Sequence, residues 1–272
     1  MQNFSIYPQE MLTSFWRNRS LINALIKRDI LGRYRGSLMG IMWSFLNPLL
    51  MLAVYTFVFS VVFKARWGTG NGSRAEFALV LFAGLIVFNL FSECIVRAPS
   101  LIVSNTNYVK KVVFPIEILP WVSMGSAMFH SSVSLAIWLL VYVGIFGIPQ
   151  LTALFLPLIF LPLVFFIMGL SWALASLGVY LRDASQFVGI LTTIMMFLSP
   201  IFFPATALPE EYRNLLFLNP LTPAIEQTRN ALYWGEAPNI TMLSTYLIAS
   251  MLIAWVGFAW FQKTRKGFAD VL

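Results

Sequence analysis

Composition assigns this chain to the membrane proteins: of 272 residues, 59% are hydrophobic and 11% are charged, against about 25% charged in a typical soluble domain. A water-soluble domain with so little charge would be unable to cover its own surface, and the mean hydropathy of +0.78 agrees. The single cysteine excludes an internal disulfide, and the single histidine excludes a metal site built from several histidines. The net charge of +7 is distributed along the chain as a membrane-orientation signal rather than as a nucleic-acid site.

The first predicted element is a basic amphipathic helix over residues 10–35. One face of its helical wheel is apolar and another is basic, which is typical of a helix in the cytoplasmic membrane interface. Arg19 and Asp29 interrupt the apolar face, and the alternative is a disordered basic arm before the first span. The apolar face comprises Met11, Phe15, Ile22, Ile26 and Ile30, and the basic face comprises Arg17, Arg28 and Arg35.

Long intervals with little or no charge predict six transmembrane helices, because a helix needs about 20 apolar residues to cross a bilayer. The uncharged interval from residue 118 to 181 is too long for one helix, and Gly147 and Pro149 supply a turn that divides it. We expect no cleavable signal peptide, since the first apolar run begins only near Leu38. The predicted spans are residues 38–63, 77–96, 118–146, 154–180, 185–203 and 242–261.

The positions of the basic residues predict that both termini lie in the cytoplasm. With that orientation the inner segments carry most of the 18 Lys and Arg residues, as the positive-inside rule requires. The longest inner segment between two spans is residues 98–115, where Pro99 could begin a helix and Pro115 could end it. A passive loop is the alternative for this segment.

Residues 204–236, between spans five and six, combine charged residues with apolar patches and several prolines. This pattern predicts short re-entrant helices on the extracytoplasmic side, which would have to pack against protein because lipid cannot satisfy irregular backbone. A plain extracytoplasmic loop is the alternative.

The sequence carries no ATP-binding or catalytic motif. It has no glycine-rich P-loop ending in Gly-Lys-Ser/Thr, so we expect no ATP site in this chain. A proton-coupled transporter would place carboxylates near the bilayer midplane, whereas Glu93 and Glu117 fall toward the cytoplasmic ends of spans two and three. The three aspartates are scattered along the sequence and are not paired with one another. We expect His130 to be a buried residue that is hydrogen-bonded to a neighbouring helix. These features predict a transport protein without catalytic residues, metal or cofactor, driven by a partner.

Several strings, in order along nearly the whole chain, resemble the permease subunits of polysaccharide ABC exporters. The subgroup that the chain most resembles exports O-antigen and capsule in Gram-negative bacteria, and teichoic-acid exporters are relatives. The strings are RYRGSLMG at 33–40, WSFLNP at 43–48, SNTNYVKKVVFPIEILP at 104–120, YLRD at 180–183, SPI at 199–201, and NP at 219–220 with Arg229 beyond it.

The resemblance implies one all-α permease domain over residues 1–272, in the bacterial cytoplasmic (inner) membrane. It would form a homodimer with two separate ATP-binding cassette subunits, which bind ATP and Mg²⁺. The substrate would be a polysaccharide linked to polyprenyl diphosphate or another lipid. In this family residues 98–115 would hold the helix that couples to the ATPase. The coupling residues would be Ser100, Asn105, Asn107, Tyr108, Lys110 and Lys111, and Arg182 and Asp183 would lie in the next cytoplasmic loop.

Two further sites follow as hypotheses. Arg28, Arg33 and Arg35 would form a gate that meets the substrate diphosphate, or they would only anchor the helix to acidic membrane lipids. Aromatic side chains of spans one and five would line the translocation channel, or they would face lipid or a neighbouring helix instead. The candidate lining residues are Met51, Tyr55, Phe59, Phe63, Phe197, Phe202 and Phe203.

Other functions remain open from the sequence. A teichoic-acid-type permease fits the same strings, whereas a stand-alone flippase for lipid-linked sugars is disfavoured by the missing midplane acids. A membrane enzyme acting on lipid-linked sugars is disfavoured because no catalytic constellation is present.

Overall fold

The computed structural model describes residues 5–62, 67, 73–110, 114–207, 209–211, 216 and 218–272. Every regular element in these ranges is helical, and five helical segments are long and apolar enough to cross a membrane. Those five are Gly40–Phe59, Arg74–Ser100, Ile116–Phe146, Leu151–Tyr180 and Ile240–Val271. The α-helices of the described chain are α1 (Pro8–Arg17), α2 (Arg19–Arg33), α3 (Trp43–Tyr55), α4 (Arg74–Arg97), α5 (Thr106–Lys110), α6 (Leu119–Phe146), α7 (Leu156–Tyr180), α8 (Ala184–Leu198), α9 (Thr222–Arg229), α10 (Ile240–Thr264) and α11 (Phe268–Val271).

The N-terminal amphipathic region is two helices, not the single helix expected over residues 10–35. Asn18 leaves helical geometry at φ −104° and ψ 14°, and its side-chain amide donates to the carbonyl oxygen of Ser14 at 2.8 Å. Such side-chain bonds compete with the backbone ladder and end helices. Arg35 lies beyond the end of α2 at Arg33.

Helix α2 packs against protein along its apolar face. Ile22 and Leu25 are buried in a cluster with Ile118 and Val122 at the start of the third membrane segment. Gly125 of α6 leaves room for Ile26, since a Cβ at Gly125 would overlap that side chain. The apolar stripe found in the sequence therefore serves helix packing within the chain.

The first span is irregular and lies at the edge of the bundle. It begins with a 3-10 turn, continues as α3 and ends in a π-helical segment, Thr56–Val62. Pro48 inside α3 removes one N–H from the helical ladder. Only 11% of the apolar window of this span is buried, against 78% for α4. Most of the surface of α3 is therefore not covered by the residues that the structure describes.

Helix α4 is the centre of the bundle. Ser73 caps its N-terminus, since the Ser73 hydroxyl accepts from the Glu76 N–H at 3.1 Å. The indole N–H of Trp138 in α6 donates to the carbonyl oxygen of Leu79 at 2.8 Å. This buried bond and the apolar core around it join α4 to α6.

Small residues allow a close contact between α7 and α10. A Cβ at Gly169 would lie 2.5 Å from the carbonyl oxygen of Ile253, and a Cβ at Gly257 would overlap the carbonyl oxygen of Gly169. Paired glycines allow this backbone approach in membrane helices. Between α6 and α7, Gly147 adopts φ +87°, which favours glycine, and so ends α6.

The region predicted as span five, residues 185–203, contains the 15-residue helix α8 instead. Ser199 is extended at ψ 146°, because the residue before Pro200 is disfavoured from helical geometry. At 1.5 Å per residue α8 is about 22 Å long, shorter than the hydrocarbon core of about 30 Å. Beyond it, α9 continues as a π-helical turn, Asn230–Trp234, which ends at Gly235 with φ +72°.

The N-terminal helix, the segment after α4 and the C-terminal end meet at one end of the bundle. The Glu117 carboxylate accepts from the hydroxyl of Ser14 in α1 at 3.2 Å and from Arg265 at 2.7 Å. Helix α11 packs against α5. These three segments therefore share one side of the membrane bundle.

Candidate functional site

Asp29 of α2 forms a bidentate ion pair with Arg97 at the end of α4. Arg97 Nη2 donates to Asp29 Oδ1 at 2.8 Å and Arg97 Nη1 donates to Asp29 Oδ2 at 3.0 Å. Burial acts to raise the pKa of Asp29, but the hydrogen bonds and charge of Arg97 outweigh it and hold the pKa below its ordinary value. The carboxylate is therefore charged at neutral pH, and its stabilising contribution is lost only as the pH falls through this lowered pKa.

Arg33, at the end of α2, reaches a second charged group of α4. Its Nη2 donates to Glu93 Oε1 at 2.6 Å, and its Nη1 lies 3.2 Å from His130 Nδ1 in α6. His130 Nδ1 lies 3.0 Å from Glu93 Oε1, and His130 Nε2 lies 3.2 Å from the Tyr34 hydroxyl. The expected bond from His130 to a neighbouring helix is thus present, and it belongs to a four-residue polar cluster.

Arg28 connects α2 to the segment predicted to couple to an ATPase. Its Nη1 donates to the Tyr108 hydroxyl at 2.8 Å, and its guanidinium lies 5.9 Å from the centre of the Tyr108 ring. The Tyr108 ring stacks on Phe114 at 4.1 Å between centroids. Of the three arginines predicted as a gate, Arg28 and Arg33 have protein partners, and Arg35 is exposed just beyond α2.

The segment after α4 is not the single helix expected between Pro99 and Pro115. It has 3-10 turns at Ala98–Ser100 and Val103–Asn105 before the five-residue α5. Side chains bond its backbone, since Ser104 donates to the carbonyl oxygen of Ser100 and Asn105 to that of Leu101, which interrupts a regular helix.

The predicted coupling residues differ in exposure. Ser100, Asn107 and Lys110 are exposed, while Asn105 and Tyr108 are half-buried. Lys111 lies outside the described residues. Leu101 and Ile102, with exposed fractions of 8% and 0%, hold the segment against the bundle. The start of the segment also touches α7, because a Cβ at Gly178 would overlap the carbonyl of Pro99.

A cavity of about 480 Å³ opens between α3, α4 and α6, beside the end of α2. Arg33, Tyr34 and the Glu93–His130 pair form part of its wall. Met51 and Tyr55, both predicted as channel lining, also face it. Asn47, Asn89, Ser92 and Ser131 contribute further polar groups to the wall.

The structure brings most of the predicted lining aromatics together around Phe202. The Phe202 ring lies 5.8 Å from that of Tyr55, 4.8 Å from that of Phe59 and 5.9 Å from that of Phe197. Phe203 is half-buried, and Phe63 lies outside the described residues. The remaining predicted pair, Arg182 and Asp183, is exposed in the turn between α7 and α8.

Arg229 is buried, with 2% of its surface exposed, and joins three separate elements. Its Nε donates to the carbonyl oxygen of Val80 at 3.0 Å, its Nη2 to that of Ile201 at 2.6 Å, and its Nη1 to that of Pro200. The Trp67 ring lies 4.5 Å from its guanidinium carbon. The short α9 is thereby fixed to α4 and to the end of α8.

Sequence reasoning missed the partners of Asp29 and the Arg33–Glu93–His130 cluster. A usable signal was present, because Asp29 interrupts the apolar face of the interface helix. A carboxylate on a buried face requires a cation opposite it, and Arg97 ends the second span that follows Asp29 along the chain. Glu93 lies one helical turn before Arg97, and its carboxylate likewise requires a cation as a partner.

Comparison with known proteins assigns a family to this architecture. Residues 20–233 match the family described as "ABC-2 type transporter". The chain belongs to the ABC-2 type transporter family. It is therefore a multi-pass membrane component of a transporter rather than an enzyme, and an ABC exporter of this kind implies a separate ATPase partner.

Relatives of this ABC-2 protein share almost its full length. It is 26% identical to "O-antigen export system permease protein RfbA" of Myxococcus xanthus over 96% of this chain and 98% of the relative. It is 26% identical to the protein of the same name from Klebsiella pneumoniae, over 93% and 95%. It is 25% identical to "Capsule polysaccharide export inner-membrane protein CtrC" of Neisseria meningitidis serogroup B, over 94% and 96%.

Proposed function

We propose that this chain is the membrane-spanning subunit of an ATP-driven exporter of a lipid-linked polysaccharide, of O-antigen or capsule type. The names of its full-length relatives support this substrate class. The observation that carries the mechanism is the contact of α2 with both the coupling segment, through Arg28 and Tyr108, and the span α4, through Asp29 and Arg97. An ATPase that moves the coupling segment would thereby move α2 against the membrane spans.

In this proposal residues 100–111 contact the ATPase and both termini lie in the cytoplasm. The shared position of α1, the coupling segment and α11 at one end of the bundle supports that topology. Arg28 and Arg35 are exposed, so either side chain could bind a lipid diphosphate or acidic lipid headgroups. Arg182 and Asp183 would lie in the second cytoplasmic loop.

The proposal includes a homodimer whose channel is lined by spans one and five. The low burial of α3 supports the homodimer, because an apolar helix with so much exposed surface needs either lipid or a second copy of the chain to cover it. The aromatic cluster around Phe202 joins the first span to the end of α8. That cluster would present ring faces to the apolar faces of sugar rings.

We retain six membrane crossings and re-entrant helices in residues 204–236 as part of the proposal. The α8 helix would complete a crossing only together with the chain that follows it, and α9 is short enough to dip into the outer leaflet. The buried Arg229 supports this arrangement, because it satisfies backbone carbonyls that lipid would leave unbonded.

The test is genetic and biochemical. Deleting the gene should abolish surface polysaccharide while lipid-linked glycan accumulates inside the cell, and a plasmid copy should restore export. Surface polysaccharide at the wild-type level in the deletion strain would refute the proposed function.

The coupling surface has its own test, crosslinking from a cysteine at Asn107 to the ATPase. The matched control is a cysteine at Arg74, at the other end of α4 and about 36 Å away along that helix. Crosslinks from position 74 and none from position 107 would invert the proposed topology.

A further inference from the structure

We propose that the cavity between α3, α4 and α6 binds one or two sugar rings of the exported glycan. This inference rests on the proposed function and deepens it, since it assigns a glycan subsite within a single protomer. The cavity volume of about 480 Å³ lies within the range of about 300–1,000 Å³ that is usual for small-molecule sites.

The wall offers hydrogen-bonding groups that the protein itself does not use. Asn47, Asn89, Ser92 and Ser131 line the cavity, and within the described ranges their side chains bond no other protein group. Asn89 is the only exposed residue of α4 between Glu76 and Ile95, although α4 is the most buried span. Amides and hydroxyls both donate and accept, as sugar hydroxyls do.

The charge of the wall favours a neutral ligand over a phosphate. Arg33 and Glu93 face each other at 2.6 Å, so the positive charge of the guanidinium is already neutralised. A phosphate in the cavity would have to displace the Glu93 carboxylate or lie beside it against its repulsion. The hydroxyl groups of a sugar can instead accept from Arg33 and donate to Glu93 while the ion pair persists.

Aromatic rings supply the remaining surface of the cavity. Tyr34, Trp43, Tyr55 and Phe82 belong to its wall. The indole N–H of Trp43 donates to the Ser37 hydroxyl at 3.0 Å, which fixes the orientation of that ring. Ring faces beside amide and hydroxyl groups match a pyranose, whose apolar C–H faces alternate with polar edges.

Two neighbouring serines of α6 provide a matched test. Ser131 lines the cavity, whereas Ser132 is exposed and does not. Each is replaced by cysteine in the full complex, in cells that make the lipid-linked glycan and in cells that lack the enzyme initiating it. The only native cysteine, Cys94, is buried and gives a low background. The probe is a small hydrophilic methanethiosulfonate reagent.

The expected result is that the glycan slows labelling of Ser131→Cys by about fivefold, which corresponds to about 80% occupancy, and leaves Ser132→Cys unchanged. Equal rates with and without glycan, no labelling of Ser131→Cys in either strain, or equal protection of both positions would overturn the assignment.

A second pair of variants replaces the hydroxyl by a larger apolar group. Ser131→Leu places a larger apolar side chain in the cavity and should lower glycan export about tenfold, a difference of about 1.4 kcal/mol, with the ATPase rate retained. Ser132→Leu should export normally, and equal export by the two variants would overturn the assignment. Absence of glycan export by the wild-type complex would refute the proposed function instead.

Discussion

Arg229 is the residue whose replacement should most reduce the stability of the part of the bundle where α9 packs on α4 and the end of α8. Its guanidinium donates to the carbonyl oxygen of Val80 in α4 and to those of Pro200 and Ile201, which are adjacent in the segment after α8. Each hydrogen bond from a charged donor contributes about 1.5–3 kcal/mol, and removing the buried charge recovers a desolvation cost of several kcal/mol. For Arg229→Met we therefore expect a net loss of about 3 kcal/mol, because three buried carbonyls lose a partner.

The variant Arg229→Lys keeps the positive charge of the side chain but removes the planar guanidinium group. A lysine ammonium is compact and lacks the guanidinium fork that reaches carbonyls on two separate segments, so this variant should be destabilised at least as much as Arg229→Met. The assay is thermal unfolding of the detergent-purified complex. Arg182→Lys, in an exposed turn, is the matched control and should unfold like wild type. A wild-type midpoint for Arg229→Lys would refute the inferred role of the guanidinium.

Three further changes test other parts of the structure. Tyr108→Phe keeps the ring but removes the hydroxyl that binds α2, so glycan export should fall several-fold at an unchanged ATPase rate; equal export would exclude this contact from coupling. Gly257→Ala should lower the unfolding temperature because its Cβ meets backbone, whereas Gly144→Ala, with open space around it, should raise it slightly through helix propensity. Tyr55→Leu with Phe59→Leu should abolish export with ATPase activity retained, and wild-type export from this pair would remove the aromatic cluster from the pathway.

The long spans were predictable because they depend on local composition alone. An apolar run of sufficient length with little or no charge has few alternatives to a membrane helix, and α4, α6, α7 and α10 coincide broadly with such runs. The early end of α8 at Leu198 was also predictable from the sequence, because Pro200 disfavours a helical conformation at Ser199. Hydropathy alone extended this span across the proline.

The partners of charged residues were not predictable in the same way. On the helical wheel of the interface helix, Asp29 interrupts the apolar face. Only the fold identifies Arg97 as the partner of this carboxylate. The same holds for Arg33, which the sequence presents as a free cation and the structure pairs with Glu93. These contacts join residues separated by about 60 positions or more. At that separation the sequence pattern indicates that a buried charge needs a partner, but it does not identify which residue supplies it.

Export of a lipid-linked glycan driven by ATP can be measured in proteoliposomes that contain this chain and its ATPase. The measurement is protection of fluorescent lipid-linked glycan from an impermeant glycosidase, with ATP on one side only. We expect translocation that requires ATP and stops when the ATPase subunit carries an inactivating substitution. Equal translocation without ATP, or with the inactive ATPase, would contradict the proposed function.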